Sequence, residues 1–206
     1  LYLHTDASQA ACYLDMHVHK LGVDLLTLNG GKMYGPKQSG ALYVKTGIDL
    51  SPLILGGGQE ANVRSGTENV PAIIGFARAL HIAHQQAKNE TTRMLKLQTY
   101  FIDRLQKTFP NSAINGSLKH RLPNNVHVTL PGIDNERVVM ELDERGIMCA
   151  TGSACSASSE KPSKVLEAIG LSHDESRASL RFTMGRSTTT AQIDKTMAAL
   201  SKILHQ

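Results

Sequence analysis

Val23-Asp24-Leu25-Leu26-Thr27-Leu28-Asn29-Gly30-Gly31-Lys32-Met33-Tyr34-Gly35-Pro36-Lys37 is the stretch from which the rest of the chain can be read. Val23 to Leu28 is a short apolar run of the kind that forms a buried strand, and Asn29-Gly30-Gly31 ends it. Lys32 therefore stands where strand becomes turn, the usual place for a functional residue in an α/β sheet. The glycines let the backbone turn tightly and let a ligand come close. Gly30 and Gly35 have the spacing of a P-loop, but Pro36 occupies the position where that motif needs its lysine, so a nucleotide reading fails. Taken alone, the stretch reads better as a Gly-rich hairpin with two solvated lysines.

Asp6 lies 26 residues before Lys32, on a loop after a preceding strand, and Gln9 follows about one helical turn later. An acid and a lysine presented from adjacent strand ends suit pyridoxal phosphate. That cofactor needs a lysine amine for its aldehyde and a carboxylate to keep its ring nitrogen protonated. Asp6 could instead cap a helix N-terminus, as aspartate commonly does.

Further along, Leu53 to Leu55 and Ala41 to Lys45 are expected as short strands. From Pro71 the period changes: Ile73, Ile74, Ala77, Leu80 and Ala83 or His84 fall on one face of a helix over about 70–88. A second helix is expected from about Thr92 to Phe109, with Leu95, Ile102, Leu105 and Phe109 as its apolar stripe and Pro110 as its stop. Then come a strand at Val126 to Leu130, a helix at Glu136 to Glu144 ended by Gly146, and a strand at Ile147 to Ala150. A short helix at Ser163 to Ile169, a strand at Leu180 to Thr183 and a last helix from about Thr190 complete the pattern. Thr189 and Gln192 have the spacing of a capping box for that last helix. The fold class is α/β, with an incomplete α/β part over 1–87 and a small α+β domain over 88–206.

Three further stretches could carry chemistry. Gly56-Gly57-Gly58 followed by Arg64-Ser65-Gly66-Thr67 could form an anion nest with a hydroxyl donor, or a plain surface loop. Thr151 to Ser159 is a small, polar loop with Cys155 in its middle, placed as an exposed nucleophilic thiol would be, whereas Cys12 and Cys149 read as inert core cysteines. Arg181 alternates with apolar residues in a strand, so it either pairs with an acid or binds a substrate carboxylate.

Composition narrows the classes. Of 206 residues, 41% are apolar and 19% charged, ordinary for a globular chain, and no apolar run is long enough to span a bilayer. The charge of +4 is spread out, and four Phe, five Tyr and no Trp leave little to stack bases on, which argues against nucleic acid. Three unevenly spaced cysteines make neither a disulfide framework nor a zinc site, and the histidines set no metal spacing; reduced thiols in a cytoplasm fit best.

In order, Thr5 to Gln9, Gly31 to Lys37 with Gly40 to Val44, Gly56 to Thr67, Gly152 to Cys155 and Arg181 to Gly185 resemble the cysteine desulfurases of the NifS/IscS type, within the class V aminotransferases. The resemblance implies the C-terminal part of a fold type I large domain followed by a small domain. It implies that Lys32 holds pyridoxal phosphate and moves the substrate proton, with Asp6 at the ring nitrogen, Gln9 at the phenolic oxygen and Asn29 beside the cofactor. Thr67 would reach the phosphate of a neighbouring subunit in a homodimer, and Arg181 would hold the carboxylate of L-cysteine. Cys155 would take the sulfur as a persulfide, leaving alanine, and pass it to an acceptor such as an iron–sulfur scaffold. Asn29 and Gly31 stand where the family usually has Ser and His, and Leu55 where it has His. A selenocysteine lyase or other class V enzyme, and a truncated non-catalytic interaction module, are the competing readings.

Overall fold

The computed structural model describes residues 1–151 and 163–205. They form two compact units, Leu1–Thr91 and Thr92–Gln206. In the first, strand β1 (His4–Asp6) runs parallel to β2 (Leu25–Asn29), and β3 (Gly40–Val44) pairs antiparallel on the far side of β2. A four-residue helix α1 (Val18–Leu21) lies in the connection from β1 to β2 and stops at Gly22, whose φ of 65° is left-handed. The period-2 alternation of β2 sends Leu26 and Leu28 into the core, and the other face carries Thr27 and Asn29.

The long helix α2 (Val70–Thr108) runs through the division between the units. The sequence led us to expect two helices here, but Lys88-Asn89-Glu90-Thr91-Thr92 contains neither Pro nor Gly, and nothing in it interrupts the hydrogen-bond ladder. The expected apolar face is also displaced. Ile73 and Ile74 are exposed, whereas Phe76 and Ala79 are buried together with the expected Ala83. Close approach selects that face: a Cβ on Gly75 would stand 2.5 Å from Pro36 Cγ, and one on Gly35 would stand 2.8 Å from Ala79 Cβ. Small residues, not the largest apolar ones, mark where the helix seats on the Lys32 turn.

In the second unit, β4 (Ala113–Ile114), β5 (Asn125–Thr129) and β6 (Ser179–Thr183) form an antiparallel sheet in that order. Val126, Val128, Leu180 and Phe182 are buried on one face, Met94, Phe101 and Leu105 of α2 are buried as well, and Phe101 stands edge-on to Phe182 at 5.1 Å. Leu95, expected in the buried stripe, is exposed. Helices α3 (Asn135–Asp143) and α6 (Thr190–Leu204) add Val138, Leu142, Ile193, Met197 and Leu200 to the buried set. The Thr189–Gln192 capping box forms as its spacing indicated. Between them lie α4 (Lys164–Ala168) and α5 (His173–Arg177), the latter opened by a Ser172–Glu175 capping box.

Two expected strands are absent as strands. Leu53 to Leu55 contributes a single bridge, Ile54 to Arg64, and leaves Leu53 98% exposed. Ile147 to Ala150 contributes only the bridge from Ala150 to Arg181. Each segment has the apolar content of a strand but lacks a partner ladder, and pairing is what makes a strand.

Candidate functional site

Asp6 is the last residue of β1, one position earlier in structural terms than the loop expected for it, and it lies in register with Thr27 of the neighbouring parallel strand. His4, Asp6, Thr27 and Asn29 therefore share the sheet face opposite Leu26 and Leu28. His4 Nε2 lies 2.9 Å from Thr27 Oγ1 across the two strands. Asp6 Oδ1 accepts the Ser8 N–H at 2.9 Å, so the carboxylate also closes the turn that follows β1. Bonds from the Ser8 side chain and backbone lower the Asp6 pKa, aided by the charges of Lys32 and His4 and opposed by desolvation. Asp6 is therefore ionised at neutral pH.

Beyond Asn29 the chain enters a 3₁₀ turn, Gly30–Met33, closed by Tyr34 in the left-handed region with φ 62°. Met33 is buried and anchors the turn, whereas Lys32 is exposed. Gly30 admits no side chain, since a Cβ there would lie 2.1 Å from Ser39 Oγ. The Ser39 hydroxyl in turn donates to the Pro36 carbonyl at 2.6 Å. The Lys32 ammonium makes no hydrogen bond or ion pair among the described residues, and its charge acts on Asp6.

The structure thus gathers Asp6, Asn29 and Lys32 at one end of the β1–β2 pair, with Gln9 exposed in the next turn. An ionised carboxylate and an uncommitted lysine within electrostatic reach of each other form a donor set that fits the ring nitrogen and aldehyde of pyridoxal phosphate. Thr67 is exposed in the loop leading to α2. Ser65, by contrast, is buried and accepts the Gly58 N–H at 3.2 Å, so it closes the glycine loop. Glu60, Ala61 and Asn62 follow with φ values of 50°, 53° and 64°, three consecutive left-handed residues.

A cavity of about 360 Å³ lies along β1, walled by Leu3, His4, Asp6, Ala10, Leu14 and Val23 among others. Lys32, Gln9, Asn29 and Thr67 do not line it, so it borders the candidate site only through Asp6. Sequence reasoning passed over Thr27, whose signal is the alternation that puts it on the Asp6 face.

In the second unit, Arg181 is partly buried on β6 and forms neither an ion pair nor a side-chain hydrogen bond among the described residues. Of the two roles open to it from sequence, pairing with an internal acid is not realised there. Cys155 lies outside the described residues. Cys12 is buried with its Sγ 3.8 Å from the Lys32 carbonyl oxygen, and burial together with Asp143 pushes the Cys149 thiol up to about 11. Neither is a poised nucleophile.

A family model described as aminotransferase class-V matches residues 1–196. The chain belongs to the class-V aminotransferase family. Within it, the chain is 42% identical to cysteine desulfurase IscS 1 of Archaeoglobus fulgidus over 204 residues, 99% of this chain and 53% of that protein. It is 41% identical to cysteine desulfurase IscS of Dictyoglomus turgidum over 206 residues, 100% of this chain and 52% of that protein. The solved structure of a NifS-like protein from Rickettsia africae matches with a TM-score of 0.89 and 30% identity, over 98% of this chain and 53% of that one. The chain spans about half the length of the curated relatives it matches.

Proposed function

We propose that this class-V chain is part of a pyridoxal phosphate-dependent cysteine desulfurase, which converts L-cysteine to L-alanine and hands the sulfur to an acceptor for iron–sulfur cluster assembly in the cytoplasm. The observation that carries the reading is the pairing of an ionised Asp6 with an exposed, otherwise uncommitted Lys32 at the ends of adjacent strands. The relatives named cysteine desulfurase support the substrate. The order of the motifs supports placing this chain in the carboxy-terminal portion, with 1–87 belonging to the cofactor-binding large domain and 88–206 to a small domain bearing the Cys155 loop.

When bound, the cofactor supplies an electron sink for the carbon framework of the substrate. The residues of this chain do the rest. Lys32 would hold the cofactor through its aldehyde carbon before substrate arrives and, once its amine is free, would move a proton at the substrate Cα. Asp6, kept ionised by its Ser8 bonds, holds the proton on the ring nitrogen. Gln9 would donate toward the phenolic oxygen, Asn29 would lie beside the cofactor, and Thr67 would donate to the phosphate of a second subunit in a homodimer. Arg181 takes the substrate carboxylate in a charge-assisted pair. The Cys155 thiolate attacks the substrate sulfur: a new S–S bond forms, the Cβ–S bond breaks, and its electron pair stays on a carbon that becomes the alanine methyl after taking a proton.

Borohydride reduction of the full-length gene product with pyridoxal phosphate should leave the mass of the cofactor on the peptide containing Lys32, and Lys32→Ala should abolish that label. A label on another lysine would overturn the assignment. Cys155→Ser should retain the label and lose sulfide release from L-cysteine; release that persists would point to a selenocysteine lyase or another class-V activity.

A further inference from the structure

In the second unit, four residues form one row across the sheet. Asn115 N donates to His127 O at 2.9 Å, His127 of β5 is in register with Arg181 of β6, and Arg181 exchanges both backbone bonds with Ala150 at 2.7 and 3.1 Å. Because the Arg181 N–H and C=O both point toward Ala150, the His127–Arg181 pair is the non-hydrogen-bonded kind, in which opposed side chains approach most closely. The two side chains share the face opposite Val126, Val128, Leu180 and Phe182.

The imidazole is fixed from its other side. Asn115 Nδ2 lies 2.9 Å from His127 Nδ1 and 2.9 Å from Thr129 Oγ1, while the Thr129 hydroxyl is 3.1 Å from Asn115 Oδ1 and 2.7 Å from Ser179 Oγ. An amide NH₂ can only donate, so His127 Nδ1 accepts and the ring proton sits on Nε2. Nε2 is buried and has no hydrogen-bond partner among the described residues. The ring therefore offers Arg181 no acceptor. Burial and the charges of Arg181 and Arg121 push the His127 pKa down to about 4, so the ring stays neutral near pH 7.

We infer that His127 is a positioning residue for Arg181: with its one acceptor nitrogen tied to Asn115, it denies the guanidinium an internal partner and keeps those donors available for an incoming carboxylate. The inference rests on the proposed desulfurase reading only in identifying that carboxylate as the substrate's.

Glutamine and glutamate at position 127 separate the idea from a merely structural role, because they have nearly the same shape. Glutamine can accept from Asn115 and turn its NH₂ toward Arg181. Glutamate offers a second acceptor that captures the guanidinium. In the full-length holoenzyme, His127→Glu should raise KM for L-cysteine about tenfold or more with kcat little changed, while His127→Gln should recover most of the loss. In an Arg181→Met background the difference between Glu and Gln should vanish. Equal KM shifts for the two, or a difference that survives without Arg181, would overturn the inference; a wild-type protein that forms no alanine would instead remove the desulfurase reading. Independently of activity and of variant folding, ¹⁵N NMR of the wild-type chain at neutral pH should find His127 protonated on Nε2 and not on Nδ1, and the opposite tautomer would refute the argument.

Discussion

Gly75 sits within α2, where alanine ordinarily outperforms glycine by about 1 kcal/mol. Here a new Cβ would stand 2.5 Å from Pro36 Cγ and 3.1 Å from Pro36 Cδ. The proline ring is rigid, and its carbonyl is held by the Ser39 hydroxyl, so it cannot swing away as a long flexible side chain would. It would have to retreat by about 1 Å to regain ordinary contact. Overpacking of this kind costs about 1–3 kcal/mol, more than the propensity gain, so Gly75→Ala should lower stability by a net of about 1 kcal/mol. With a urea slope of about 2 kcal/mol per molar, the midpoint should fall by about 0.5 M. Tyrosine fluorescence suits the assay, because Tyr2, Tyr13, Tyr34 and Tyr43 all lie in the first unit and only Tyr100 in the second. Pro36 belongs to the same turn as Lys32, so the full-length variant should also capture pyridoxal phosphate less well. A midpoint at or above that of the wild type would refute the close seating of α2 on the Lys32 turn.

Four other outcomes are expected. The His127 pKa falls from 6.5 in the unfolded chain to about 4 in the folded one, so the unfolded state binds more protons between those values. The associated stability is intact above about pH 6.5 and is lost as pH falls toward 4; His127→Gln should flatten that limb of a thermal-melting series, and an unchanged slope would contradict the burial. Thr189→Ala removes one half of the α6 capping box and should cost about 1 kcal/mol in chemical denaturation, with Thr189→Ser nearly neutral. Ala61→Gly relieves a left-handed residue at a cost in unfolded-state freedom, for a net gain of about 0.5 kcal/mol by the same assay; a loss would mean that the Ala61 methyl makes contacts worth more than its strain. Leu105→Ala, at a fully buried position on α2, should cost about 2–5 kcal/mol, and a smaller loss would indicate that the second core collapses around the gap.

Some of the local structure around the candidate site was legible because its signals are local. Asn29-Gly30-Gly31 ends β2 where its composition indicated, and the Thr189–Gln192 capping box follows from spacing alone. The misreadings came from features that depend on neighbours. Ile73 and Ile74 look like core by side-chain size, yet Gly75 and Ala79 mark the face that approaches the Lys32 turn. Leu53 to Leu55 has strand composition but finds no ladder beyond one bridge.

Chain order and residue chemistry were enough to nominate a carboxylate, a lysine, a thiol and an arginine as candidates, each from its immediate flanks, although the thiol lies outside the described residues. Three-dimensional packing settled what those residues have to work with. Registry between β1 and β2 aligns Asp6 with Thr27, two residues short of the strand end that leads to Lys32, and registry between β5 and β6 sets His127 against Arg181. Pairing across strands joins residues far apart along the chain, and flanking sequence does not encode which partner lies opposite; a shift of one residue would reverse every face.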